Sequence, residues 1–250
     1  LYILKKSPAY REDARPMPAF TYQPPTDSNL VRVRRYFNLD SIAGGGDEIS
    51  QIKNLMYWLH DAIRHDGGSG RPDCAQNSIA MYELCKREGR GLNCRFLAQV
   101  LNEMYLAMGF PSRFVTCQSK AYNTDTDCHV INMVWSRQLG KWIWMDASFA
   151  AYVTDENGLL LHLGEVRERL IKGLPLVLNE DANWRITWPR TFICSMPTLK
   201  AGLRRSLLTG REAVKSIWCR RGSGRYPSML LTTTVISGKL LSAVQGRDGA

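Results

Sequence analysis

The segment that most limits how this chain can fold lies between Gly91 and Pro111. Leu97, Ala98, Leu101, Met104, Tyr105 and Met108 recur at the three- and four-residue spacing of one helix face. Gly109 and then Pro111 close that periodicity, because glycine caps a helix and proline cannot continue one. A stripe this apolar requires a covering layer. At the head of the helix, after Gly91-Leu92-Asn93, stands Cys94. The positive end of the backbone dipole favours thiolate over thiol at such a position. Position alone leaves two readings, a nucleophile or a small core residue.

The covering layer follows in the sequence. Ser112 to Cys117 reads as a strand, Gln118 to Asp127 as a polar loop, and Cys128–Trp135 and Trp142–Asp146 as a hairpin turning through Ser136–Lys141. Pairing His129 with Asp146 centres the turn near Arg137 and Gln138, about one residue before the apparent middle of the loop. Paired residues face the same side with Cβ atoms about 4.5–5.5 Å apart. Asp146 is then expected to accept the Nδ1–H of His129 and to leave Nε2 facing the Cys94 thiol. Nucleophile, base and orienter stand in the chain order Cys, His, Asp.

The segments GLNCRFLAQVLNEMYLAMGFPSRFV, DCHVINMVW and KWIWMDASF resemble the three sequence blocks of the transglutaminase-like superfamily, over roughly residues 47–172. The chain is similar in particular to bacterial members in which the Asp is followed by Phe, Tyr-Val and Glu-Val-Arg, here Phe149, Tyr152-Val153 and Glu165-Val166-Arg167. The resemblance implies an α+β fold related to papain by permutation, with the nucleophile helix packed on an antiparallel sheet. It also implies Cys94 as nucleophile, His129 as base and Asp146 as orienter. Two positions depart from the family pattern: Ile131 where many relatives carry Trp, and Arg95 where the animal enzymes carry Trp. The chemistry implied is acyl transfer from an amide of a protein or peptide substrate through a thioester, with hydrolysis expected over crosslinking. No metal or organic cofactor is implied. A catalytically inactive binding module on the same scaffold is the alternative, since fold does not fix function.

Upstream, Asp47 caps a helix whose stripe is Ile49, Ile52, Leu55, Met56, Leu59 and Ile63. His60 and His65 are five residues apart and share no helix face, so packing or a hydrogen bond to a loop is expected in place of metal binding or catalysis. Gly67, Gly68 and Gly70 form a loop without the spacing of a phosphate cradle. Asn77 or Ser78 caps a helix over Ser78–Glu88; capping is the better reading of Asn77 than donation to an oxyanion. The first oxyanion donor is assigned to the backbone N–H of Cys94, and the second is left unassigned. Asp155-Glu156-Asn157-Gly158 signals a hairpin turn, and a helix from about Gly164 to Lys172 follows, with His162 expected to be structural.

The 250 residues divide into a Pro-rich extension over 1–46, a core over 47–180 and a basic region over 181–250. The extension carries a short helix near Asn29–Phe37, either packed on the core or part of a solvated linker. Residues 181–250 hold twelve Lys/Arg against Asp181, Glu212 and Asp248, so nearly all of the net charge of +10 resides there. That region lacks periodicity. It reads as an accessory domain, a basic arm or non-native sequence, with poor order or non-native origin preferred. Nucleic-acid binding is disfavoured because no recognition motif accompanies the charge. Seven cysteines without Cys-x-x-Cys or paired zinc spacing argue against a disulfide-stapled mini-domain and a zinc module. No apolar run of about 18 residues is present to span a membrane. The chain begins at Leu1 and not Met, so it is expected to be a fragment or processed product, leaning to an extracytoplasmic location, with oligomeric state open.

Overall fold

The computed structural model describes residues 21–118 and 128–182. The first twenty residues, the polar loop at 119–127 and the basic region from 183 onward, with Cys194 and Cys219, lie outside the described residues.

The short helix foreseen in the extension is α1, Ser28–Phe37, and it packs on the core: Leu30, Val33 and Phe37 are buried. Asp27 caps it by accepting the Asn29 N–H at 2.9 Å. Asn38, in the left-handed region at φ 53°, turns the chain directly into α2, Leu39–Ala43. Helix α3, Glu48–Ala62, starts at Asp47, whose carboxylate accepts the Ser50 N–H at 2.8 Å. Helix α4, Ser78–Glu88, is capped by Asn77, whose side-chain oxygen accepts the Ala80 N–H at 2.9 Å, the capping role expected of it.

Helix α5, Cys94–Ala107, runs through the middle. It touches α1, α3, α4 and both of the first two strands. Its expected stripe is buried at Leu97, Ala98, Leu101, Met104 and Tyr105. The one polar tip on that stripe, the Tyr105 hydroxyl, donates to the Ile52 carbonyl at 3.0 Å, so its burial leaves no lone donor. Gly109, at φ 80°, then reverses the chain into the sheet.

The sheet has order β1-β2-β3, with β1 Ser112–Gln118, β2 Cys128–Ser136 and β3 Lys141–Met145, all antiparallel. Val134, Ile143 and Met145 join the core beneath the helices. Val115, Ile131, Met133, Trp142 and Trp144 join a second core on the opposite face, closed by α6, Leu163–Lys172. Both faces are therefore covered, which explains the almost continuous apolar run of β2. The side chain of buried Asn132 donates to the Ala98 carbonyl at 2.9 Å and pins β2 to α5. A small ribbon, β4 Val153–Thr154 with β5 Val177–Leu178, finishes the second layer. The fold is thus α+β with the central helix on an antiparallel sheet.

One close approach sets where α5 begins. Leu92 forms a parallel bridge with His65: its N–H donates to the Arg64 carbonyl at 3.1 Å, and its carbonyl accepts the Asp66 N–H at 2.8 Å. A Cβ on Gly91 would lie 2.5 Å from the Arg64 carbonyl oxygen and 2.7 Å from the Asp66 Cβ. Only glycine fits that space. Gly91→Ala is expected to lower stability by about 1–3 kcal/mol in urea unfolding, as overpacking does. Gly45→Ala, whose added carbon meets nothing within 4 Å, serves as the control and should change stability by less than about 0.5 kcal/mol. Equal unfolding midpoints for the two variants would contradict this account of the junction.

Candidate active site

Cys94 is the first residue of α5, so its backbone N–H lies among those that the helix leaves without an internal partner. Asn93 fixes the start of the helix twice. Its side-chain oxygen accepts the Phe96 N–H at 3.3 Å, and its amide donates to the Ser69 carbonyl at 3.0 Å. The sulfur is half-buried and lies 4.0 Å from the Cys128 carbonyl oxygen, where β2 begins.

His129 is the second residue of β2, opposite Cys117 on β1. Its Nε2 lies 2.6 Å from Asp146 Oδ2, and the ring is near enough to the Cys94 sulfur to act on its ionisation. The structure therefore gathers Cys94, His129 and Asp146 at one point. The ring is turned over relative to the sequence-based expectation: Nε2 and not Nδ1 meets the carboxylate. The hairpin register explains the difference. Asn132 pairs with Met145, so Asp146 continues opposite Ile131 and stands diagonal to His129, not directly across from it. The slip is of two residues, so both side chains keep the same face, but the carboxylate now reaches the far nitrogen.

The loop after β3 holds Asp146 rigidly. Asp146 and Ala151 exchange both backbone hydrogen bonds at 2.9 Å, and Asp146 Oδ1 accepts the Ser148 N–H at 2.9 Å. Ala150 completes that loop at φ 49°, a left-handed conformation that is unfavourable for a residue with a Cβ. The Asn179 amide secures it by donating to the Ala150 carbonyl at 2.9 Å. From the other side, His60 Nδ1 donates to the Ala147 carbonyl at 2.9 Å, the loop-bonding role expected of that histidine. His162 caps α6, its Nδ1 accepting the Gly164 N–H at 2.9 Å, and is likewise structural.

His65 is the residue the sequence did not place in the site. It is 3 % exposed, and it is one of the two imidazoles whose influence lowers the Cys94 thiol. Phe149 packs against both imidazoles, with ring centroids 5.3 Å from His129 and 5.6 Å from His65. No local signal marks His65, because its position depends on the bridge to Leu92 far along the chain. Gly91, which that bridge requires, is the nearest thing to a clue.

These contacts set the charges. Burial opposes ionisation of Cys94, but hydrogen bonds and charge from His129 and His65 outweigh it and bring the thiol down to about 6. Burial likewise disfavours the charged form of His129. The Asp146 carboxylate and the Cys94 sulfur overcome that and raise the imidazole well above its ordinary value. Both shifts run in the direction that favours a thiolate–imidazolium pair. Such a sulfur can attack an electrophilic carbon while the ring holds a proton for the leaving group. Among the described residues no group of three or more His, Cys, Asp or Glu is arranged to hold a metal ion, and no helix is long and apolar enough to cross a membrane.

Comparison with known proteins bears on the same segment. No curated protein matches the chain. Among solved structures, a candidate cysteine protease from Cytophaga hutchinsonii is similar with 15% identity and a TM-score of 0.37, the match covering 64% of this chain and 55% of that one. The chain thus spans little more than half the length of that protein. The family model of the transglutaminase-like superfamily matches residues 36–147, from the end of α1 through Asp146. Over those residues the chain is similar to the transglutaminase-like superfamily.

Proposed function

We propose that the chain is a cysteine-dependent acyl-transfer enzyme that cleaves amide bonds of a protein or peptide, either in the backbone or at a glutamine side chain, and passes the acyl group to water in preference to an amine. The observation that supports this most directly is an imidazole held 2.6 Å from the Asp146 carboxylate, on the residue that follows Cys128, whose carbonyl oxygen lies 4.0 Å from the Cys94 sulfur.

In this reading the Cys94 thiolate attacks the carbonyl carbon, and negative charge moves to the oxygen. That oxygen sits at the head of α5, where the backbone N–H of Cys94 and the helix dipole stabilise it. His129 gives its proton to the amide nitrogen, the C–N bond breaks and the amine leaves, with the acyl group held as a thioester. His129, now neutral, takes a proton from water. The hydroxide formed adds to the thioester, the C–S bond breaks, and the carboxylic acid departs as Cys94 regains its anionic form. Asp146 orients the ring and stabilises its positive charge throughout. The His129 side chain is 22 % exposed, so water reaches the base, which is the reason for preferring hydrolysis.

Reduced casein offers peptide bonds, glutamine side chains and lysine amines together. Incubation with the protein should release ammonia or new amino termini, with less incorporation of a labelled primary amine. Cys94→Ala should abolish the release, and His129→Ala should slow it by at least about 100-fold, the usual worth of a positioned acid–base group. Activity unchanged in Cys94→Ala would dismiss the reading, and amine incorporation exceeding hydrolysis would reverse the preference for water.

The pH dependence follows from the two shifts. Cys94 titrates downward to about 6, so the thiolate is present above that pH and lost below it. His129 is raised, so the proton it delivers is retained through neutral pH and lost only well above the ordinary imidazole value. The rate under kcat/KM conditions should rise through about pH 6, hold a plateau across neutrality and fall in the alkaline range. A rate that instead climbs through the ordinary thiol range of about 8.5 would contradict the pair.

A further inference from the structure

The loop that carries Asp146 is gripped by residues far from it in sequence, and one of them lies beyond the segment 36–147 that the family model matches. Asn179 directly follows β5, and its amide oxygen and both amide protons are engaged on that loop and its support. Its Oδ1 accepts the Tyr152 N–H at 2.9 Å, and its Nδ2 donates to the Ala150 carbonyl at 2.9 Å and to the Tyr57 hydroxyl at 3.1 Å. Between those two backbone points stands Ala151, which exchanges both of its backbone hydrogen bonds with Asp146 at 2.9 Å. Asn179 therefore brackets the backbone partner of the carboxylate residue. Tyr57 passes the tie to α3. One turn further along that helix, His60 holds the Ala147 carbonyl at 2.9 Å, and one turn earlier the Lys53 ammonium lies 4.1 Å from the centroid of the Tyr152 ring.

We propose that Asn179, seated on Tyr57, is a positioning residue of this centre: it holds the loop over residues 146–152 in the conformation that points the Asp146 carboxylate at His129. The proposal rests on the reading of Cys94, His129 and Asp146 as the catalytic residues. Ala150 sits at φ 49°, a conformation that a residue with a Cβ leaves unless something holds it, and the Asn179 amide is bonded to its carbonyl. The contact that depends on this is short. Asp146 Oδ2 reaches His129 Nε2 at 2.6 Å from a diagonal position in the hairpin, so a loop shift of about 1 Å takes the pair outside good hydrogen-bond geometry. Asn179 acts only through Asp146. The charged groups at the clamp are Asp181, which accepts the Tyr57 hydroxyl at 3.2 Å, and Lys53 on the Tyr152 ring; those acting on His129 are Asp146 and Cys94.

The test compares Asn179→Ala with Leu170→Ala in the full chain. Leu170 is buried on α6 in the second core, so its truncation lowers stability and leaves the clamp intact. Two readouts are taken: kinetics on reduced casein, and titration of the His129 ring followed by NMR. Asn179→Ala should lower kcat by about 10- to 100-fold with KM within about twofold, because the loop orients the proton donor and not the substrate. Burial depresses the His129 midpoint and the Asp146 carboxylate raises it above its ordinary value, so a misplaced carboxylate should let it fall, and the alkaline limb of kcat/KM should move to lower pH with it. Leu170→Ala should keep the wild-type kcat and His129 midpoint. A folded Asn179→Ala variant with wild-type kcat and midpoint overturns the proposal, as does a Leu170→Ala variant that shifts both as far. Should Asn179→Ala not fold, Tyr57→Phe decides. It removes one of the three ties and should lower kcat by about two- to ten-fold with the midpoint moved the same way; wild-type values of both overturn the proposal. A wild type no more active than Cys94→Ala overturns the enzyme reading beneath it, while the His129 midpoint still reports on the clamp, so the two failures are distinct.

Discussion

The free energy of an anion in a half-buried place governs this centre, and two sulfurs in the same neighbourhood show which effect wins. Cys117 lies opposite His129 on β1, and burial together with the nearby charges of Asp146, Cys128 and Cys94 pushes its thiol up to about 12. Cys94 also suffers burial, yet donors from two imidazoles bring it down to about 6. Desolvation raises both thiols; the imidazoles that act on Cys94 are what separate them. A buried thiol is inert by default, and only a hydrogen bond aimed at the sulfur makes it a nucleophile.

Keeping those donors aimed is the work of the surrounding fold. The sulfur is placed by a helix start that Asn93 caps and that the junction of residues 64–66 with 91–92 anchors. The carboxylate is placed by a loop fastened at Ala147 by His60, at Ala150 by Asn179 and at Ala151 by paired backbone bonds. Phe149 rides on that same loop and walls both imidazoles. Three segments distant in sequence thus converge through short-range ties, each too weak alone to define a geometry. Ala150, in the left-handed region, falls in the loop that carries the orienting carboxylate, where strained backbone tends to collect.

Helical periodicity and caps made much of this legible from the residues. The stripe from Leu97 to Tyr105, the caps at Asp47 and Asn77 and the reversal at Gly109 are local features written in local chemistry. The exact pairing of β2 with β3 was not readable. β2 is apolar on both faces, so alternation carried no register; the offset of two residues conserved the face but changed which nitrogen of His129 meets Asp146. His65 was illegible for a different reason. A histidine following a helix looks the same wherever it ends up in the fold, and the long-range bridge to Leu92 is what brings it next to the start of the nucleophile helix.

The claim at the centre is that Cys94 is already ionised at neutral pH in the resting protein. Thiolate absorbs in the far ultraviolet where thiol does not, so a difference titration of wild type against Cys94→Ser isolates this one sulfur. The account predicts a single-thiolate step with its midpoint near 6. A difference spectrum that stays flat until the ordinary thiol range of about 8.5 would contradict it.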